Sequence, residues 1–307
     1  MNYVIEISGG IGKHIMATSF IKWINEKFPK SKITVISGFP ELFEYNPRIH
    51  RNLRVGSSYL FEDYIQGNDL RRGEPYSLYE YYREKNKKHV MELYPMAYGF
   101  NEYNKEPQSE IYLTSGEDMD GKVYNEQNPN LITLQAFGGL LPGMAYNKDK
   151  LDMAGRDMHF MVACRIVDLL NMKGYRVLQI RSQGEKPIPN TLQLNIPFRN
   201  LLPIIRHAKG HIGIDSSAMH AAAVFKKPQM IFWGNTHKDN LGYKYDGVVN
   251  VFNKHGMHCR PFLQVHDQAG VFPFKNLEND GKEFLYSEEE IKGFVDKFIL
   301  TLKGCSA

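Results

Sequence analysis

Hydrophobic and polar positions change period twice within the first forty residues. Residues 3–7 form a short β-prone run, which ends at Ser8-Gly9-Gly10-Ile11-Gly12. Ile15, Phe20, Ile21, Ile24 and Phe28 then recur at roughly helical spacing until Pro29 stops them, and Ile33-Thr34-Val35-Ile36 reads as a second, buried strand. From residue 131 a longer alternation follows. Strands are predicted at 131–134, 175–180, 211–214 and 229–233, and helices at 158–172, 200–208 and 218–225. Ser287-Glu288-Glu289-Glu290 opens a last helix, whose apolar positions are Ile291, Phe294, Val295, Phe298 and Ile299 and whose acidic first turn suits the helix dipole. Strands alternating with helices imply βαβ units and parallel sheets, an α/β protein. Two stretches break the pattern. Residues 57–110, crowded with tyrosine and charge, read as helices and loops rather than further sheet. Residues 115–130 are polar, acidic and rich in turn formers, and read as a domain linker.

A chain of 307 residues supports about two domains. Apolar residues at 42% and charged residues at 23% exclude a disordered or fibrous protein. Cys164, Cys259 and Cys305 are too scattered for a disulfide framework, so a reducing, cytoplasmic setting is expected. The amino terminus lacks a basic region before its apolar run and is not read as a signal peptide, and no apolar run approaches bilayer length. The charge balance of 38 Lys and Arg against 34 Asp and Glu, +4, tilts partners toward anions.

Two strand-to-helix turns carry the candidate chemistry. Gly9-Gly10-Ile11-Gly12 lets backbone approach a ligand closely, yet it is neither G-x-G-x-x-G nor a P-loop. Without the former and its ribose-binding acid, a dehydrogenase is excluded. The turn Ile214-Asp215-Ser216-Ser217-Ala218-Met219-His220 sets an acid and hydroxyls where a helix starts, with His220 one turn beyond Ser216. Such a helix start suits a diphosphate. A well-capped buried helix with a core histidine would have the same sequence.

Residues 200–223, which end in Gly213-Ile214-Asp215-Ser216-Ser217-Ala218-Met219-His220-Ala221-Ala222-Ala223, are similar to the carboxy-terminal signature of the heptosyltransferase-like glycosyltransferases, family nine. Gly234-Asn235-Thr236 stands where that family has a Gly-Pro-Thr loop. Gly10-Ile11-Gly12, Phe28-Pro29 and Ile33-Thr34-Val35 match its opening βαβ, and residues 255–262 resemble its cysteine-and-proline loop. The resemblance is good at both ends of the chain and poor over about 57–130. It implies a GT-B fold, with two facing Rossmann-like domains and a cleft between them. It places an acceptor domain at 1–120, a nucleotide-sugar domain at 121–286, and a closing helix at 287–307 that returns to the first domain. It further implies inverting transfer without a metal, with no cofactor beyond the nucleoside-diphosphate sugar as co-substrate. Carried onto this chain, Asp215, Ser216, Ser217 and His220 would meet the donor diphosphate and ribose. Gly234, Asn235 and Thr236 would lie by the nucleotide, and Gly10 and Gly12 would face sugar and acceptor.

In one respect the chain departs from the family. Where the family has a catalytic Asp after its last loop glycine, this chain has Lys13 and then His14. Lysine is a poor base unless strongly desolvated, whereas an unperturbed imidazole titrates in the right range. His14 is therefore expected to take the acceptor proton, with Glu62 or Asp63 as the alternative and Lys13 meeting a phosphate. The segment 76–89 offers Tyr79, Tyr82, Arg83 and Lys87 as an acceptor platform of rings and cations, which Arg51, Arg54, Arg71 and Arg72 would enlarge. A solvated helix with tyrosines packed on one side accounts for it equally. Asp118-Met119-Asp120 is a D-x-D in a turn-rich segment, and His255, His258, Cys259 and His266 fit no four-ligand zinc spacing, so no metal site is assigned. The expected activity is sugar transfer to a hydroxyl of an anionic acceptor. The altered base position, the divergent middle and the basic balance favour hydroxymethylated bases in phage DNA over a lipopolysaccharide core or surface glycan. A non-catalytic nucleotide-sugar or glycan-binding protein is the reading from another class.

Overall fold

The computed structural model describes residues 2–75, 88–138, 156–182, 185–234, 236, 238–252 and 285–304. The chain divides into two compact units, Met1–Ser115 and Gly116–Ala307.

The first unit contains β1 (Asn2–Ile7), α1 (Ile11–Lys27), β2 (Lys32–Ser37), β3 (Arg51–Arg54), β4 (Asp69–Arg72) and α2 (Val90–Ala97). Its sheet is parallel throughout, in the order β3-β2-β1-β4. Ile5, Ile15, Phe20, Ile21, Ile24 and Val35 form a core with no exposed surface. Strand β4 overturns the expectation of helices and loops alone after residue 57. Asp69-Leu70-Arg71-Arg72 has no apolar alternation to announce a strand. Its backbone nevertheless completes the edge of β1, while Arg71 pairs with Asp69 and Arg72 with Glu6. Helix α2 starts at a capping box, in which the His89 ring accepts from Met91 N and Glu92 accepts from His89 N. The Tyr94 hydroxyl donates to Lys13 O at 2.7 Å and the Tyr98 hydroxyl to Glu6 O at 3.0 Å, tying α2 to the carboxyl edge of the sheet.

The second unit runs α3 (Ser115–Gln127), β5 (Leu131–Gln135), α4 (Phe160–Met172), β6 (Arg176–Gln179), β7 (Leu192–Gln193), α5 (Phe198–His207), β8 (Gly210–Ile214), α6 (Ser217–Val224), β9 (Gln229–Trp233), α7 (Lys238–Leu241), β10 (Val248–Phe252) and α8 (Glu288–Gly304). Its six strands are parallel, in the order β10-β9-β8-β5-β6-β7. β5, β8 and β9 are buried along their whole length, as a parallel sheet covered on both faces requires.

Two expectations change here. Residues 115–127, expected to be irregular, form helix α3, and the division between the two units falls at its first residue. This polar helix is held by what it touches: Glu117 takes Arg199 at 2.6 Å, Asp118 takes Arg206 and His207, and Gly121 lies against the Pro203 backbone. The D-x-D acid Asp118 is thereby spent on ion pairs. Helix α8, expected to return to the first domain, instead sets Ile291, Val295, Phe298, Ile299 and Leu302 into the core of the second unit, beside Val167, Leu170 and Phe232. It starts at a capping box: Ser287 N donates to Glu290 at 2.6 Å, and Glu290 N donates back to Ser287 Oγ. Cys164 lies partly buried against the same core. Among the described residues no helix is long and apolar enough to cross a membrane.

Candidate functional site

An open parallel sheet leaves a crevice at its strand carboxyl ends where successive connections depart in opposite directions. In the second sheet that switch lies between β5 and β8, since β6 and β7 extend on one side and β9 and β10 on the other. Gln135 ends β5, and Asp215 and Ser216 follow β8. Gln135 Oε1 accepts from Ala218 N at 3.1 Å, so β5 itself holds the first turn of α6. Ser216, the N-cap residue, makes no side-chain cap, and its buried Oγ has no hydrogen-bond partner among the described residues.

Asp215 is the centre of this cluster. Its carboxylate lies 3.6 Å from His220 Nε2, and its backbone oxygen accepts from Arg156 Nη1 at 3.1 Å. Burial alone would raise its pKa, but His220, the Arg156 guanidinium and Thr236 outweigh that and hold the carboxyl below the usual range. His220 Nδ1 and the Tyr243 hydroxyl are 2.8 Å apart, with the rings edge to face. With Nε2–H turned toward Asp215, Nδ1 accepts from the hydroxyl, a tautomer inferred from the network. Burial pushes the Tyr243 phenol well up, so it stays protonated. The result is a fixed imidazole and a guanidinium beside the start of α6, where helix amides and the dipole favour an anion. Gly234 and Thr236 are buried after β9, while Asn235 lies outside the described residues. The chain's sequence pointed to Asp215, Ser216, Ser217 and His220. It gave no sign of Gln135, Arg156 or Tyr243, which come from distant positions and carry no motif.

The first sheet has its own switch, between β1 and β4. Above it lie Gly9, Gly10 and the first turn of α1. Gly9 has φ +92°, and a Cβ there would meet Lys13 Cδ at 2.5 Å, so the lysine stem packs over a glycine that nothing larger replaces easily. A Cβ on Gly10 would meet nothing within 4 Å. Lys13 Nζ reaches Glu74 Oε2 at 2.5 Å. His14 turns the other way. It is 1% exposed, its Nδ1 lies 2.9 Å from Gly10 O, and Phe39 packs edge-on at 5.0 Å. Its Nε2 is sealed from solvent, and burial lowers its pKa. A ring so enclosed does not meet an acceptor hydroxyl, which weighs against the expectation that His14 is the base. Glu62 and Asp63, the alternatives, are exposed on the turn Phe61–Ile65.

The acceptor residues Tyr79, Tyr82, Arg83 and Lys87, and the histidines and cysteine of 255–266, lie outside the described residues. The arginines expected to extend a cationic field are engaged locally. Arg54 pairs with Glu41, Arg71 with Asp69 and Arg72 with Glu6, and Arg51 lies over Tyr64 at 5.1 Å. Among the described residues no group of three or more His, Cys, Asp or Glu is placed to hold a metal ion.

Solved structures share this architecture over nearly the whole chain. A glycosyl transferase family 9 protein from Veillonella parvula superposes with a TM-score of 0.67 at 12% identity, covering 97% of both chains. The ADP-heptose lipopolysaccharide heptosyltransferase II of E. coli superposes at 0.60 and 11% identity, covering 100% of both. The fold is GT-B. The dodecameric iron-containing heptosyltransferase TibC in complex with ADP-D-β-D-heptose shares the GT-B architecture, at a TM-score of 0.65 and 15% identity over 100% of this chain and 79% of that one. No family model matches the sequence, and a search of curated proteins finds no sequence match.

Proposed function

We propose that the protein is an inverting glycosyltransferase that takes a sugar from a nucleoside diphosphate and passes it to a hydroxyl of a glycan acceptor. The observation that carries this reading is the cluster of Arg156, Asp215, His220 and Tyr243 at the β5–β8 switch, beside the start of α6. In a transfer of this kind the leaving diphosphate gains negative charge. Donors fixed in advance stabilise it most, because they need no reorganisation as the bond breaks. The guanidinium of Arg156, the first-turn amides and hydroxyls of α6 and the oriented His220 would supply them, so the leaving group needs no metal. Asp215 acts through His220, holding its tautomer and angle. TibC, solved in complex with ADP-D-β-D-heptose, has this architecture, which makes an adenosine diphosphate sugar the first donor to try.

Of the two acceptor classes, the glycan fits better. The heptosyltransferase neighbours support it, and among the described residues Arg54, Arg71 and Arg72 are already ion-paired. Thermal-shift screening of the full chain against nucleoside diphosphates tests the reading. A ligand at 100 times its Kd stabilises a fold by roughly 2.7 kcal/mol, a readily measured rise in Tm. Nucleotide release from the matching donor then separates an enzyme from a binding protein. A panel without any shift would contradict the proposal.

A further inference from the structure

Resting on the glycosyl-transfer reading, we infer that Glu74 is the general base of the reaction and that Lys13 is the residue that positions it. The first sheet has a switch point of its own between β1 and β4, and one side chain comes to it from each side. Lys13 arrives from the first turn of α1, with its backbone carbonyl pinned by the Tyr94 hydroxyl and its stem laid over Gly9. Glu74 arrives just past β4. There Gly73 lets the chain pass α2 so closely that a Cβ would meet Ala97 O at 2.4 Å. The ammonium and carboxylate are 2.5 Å apart, with side-chain exposures of 11% for Lys13 and 34% for Glu74. The cation is thus nearly enclosed, while about a third of the Glu74 side chain is exposed, just past the carboxyl end of β4. Of the three other candidates, His14 is enclosed by Phe39 and Phe43, and Glu62 and Asp63 lie on the separate turn Phe61–Ile65.

Such a pair suits one task. As the acceptor oxygen forms its bond to the anomeric carbon, its O–H bond breaks and the proton passes to the Glu74 carboxylate. The carbon–oxygen bond to the diphosphate breaks in the same step, its electron pair leaves with the phosphate, and the configuration inverts. Lys13 holds the carboxylate in place before the proton arrives.

The test uses the full chain and the nucleoside-diphosphate sugar that releases nucleotide fastest in wild type, with deacylated lipopolysaccharide core, hydroxymethylated duplex DNA and water as acceptors. Glu74→Gln is expected to lower kcat roughly 10²- to 10⁴-fold and to remove the acid limb of the pH profile. Nucleoside diphosphate affinity should stay at the wild-type value. Glu74→Asp should recover part of the loss. Lys13→Met should keep the acid limb while lowering kcat, since the carboxylate then lacks the ammonium that holds it in place. A Glu74→Gln protein within about threefold of wild-type kcat, or one with an unchanged pH profile, would overturn the inference while leaving the transfer reading in place. A loss of nucleotide affinity in parallel with turnover would also overturn it, by marking Glu74 as structural. A wild-type chain that releases nucleotide from no donor overturns the transfer reading and this assignment together.

Discussion

Replacing Arg156 with alanine is expected to weaken binding of a nucleoside diphosphate by roughly 30- to 100-fold, or about 2–3 kcal/mol, without unfolding the protein. The guanidinium donates to the backbone oxygen of Asp215 at 3.1 Å, so its charge is fixed at the end of β8 and beside the start of α6. A diphosphate arriving there trades water for donors already in place, and a planar fork matches phosphate oxygens in a way that a point charge does not. Arg156→Lys should therefore fall between wild type and alanine. Arg165→Ala is a control for bulk charge. It removes one cation from an exposed pair with Glu288, and should leave affinity unchanged. Isothermal titration with the diphosphate from the thermal screen gives all four values. Equal affinity for wild type and Arg156→Ala would remove the guanidinium from the site.

The second large effect concerns stability. Burial raises the Glu185 carboxyl to about 7, against the opposing pull of Ser182 and Arg181. A folded-state pKa above the unfolded one means that the folded chain holds a proton which the unfolded chain has already released. Glu185 therefore contributes fully below about pH 4.5, and the contribution is lost as pH climbs through 7. At about 1.4 kcal/mol per pKa unit, Glu185→Gln should be roughly 3 kcal/mol more stable than wild type at pH 8 and nearly equal to it at pH 4. His211 acts in the opposite sense. Buried with Nδ1 3.0 Å from Thr133 Oγ1, it has its pKa lowered to about 3, so its contribution is present above pH 6.5 and lost as pH falls. The two slopes oppose each other between about pH 4.5 and 6.5, and wild type should be flatter there than Glu185→Gln. Urea titrations of both proteins across this range measure the difference. A constant gap between them at every pH would show that Glu185 titrates alike in the folded and unfolded chain.

Much of the second unit could be read from its sequence, because β5, β8 and β9 are buried on both faces and leave continuous apolar runs. Ser287 and the acidic turn after it also announced the last helix, which starts at a capping box of Ser287 and Glu290. Helix α3 and strand β4 were hidden for the same reason. Their order comes from partners far away in sequence, Arg199 and Pro203 for one and the edge of β1 for the other, and no local period records such partners. The site divides along similar lines. Asp215, Ser216 and His220 share one turn and form a readable motif. Gln135, Arg156 and Tyr243 are drawn to that turn from 83, 59 and 23 residues away by sheet order. The direction in which a helix faces its sheet is likewise not written in a glycine loop. That direction sends His14 inward and leaves Lys13 to meet a glutamate from β4.

The most direct measurement is a crystal structure of the protein soaked with the nucleoside diphosphate that stabilises it best. The phosphates should lie within hydrogen-bond distance, about 3 Å, of the Ser216–Ser217 amides and the Arg156 guanidinium, at the carboxyl ends of β5 and β8. Phosphates bound at any other place, with that turn untouched, would contradict the account.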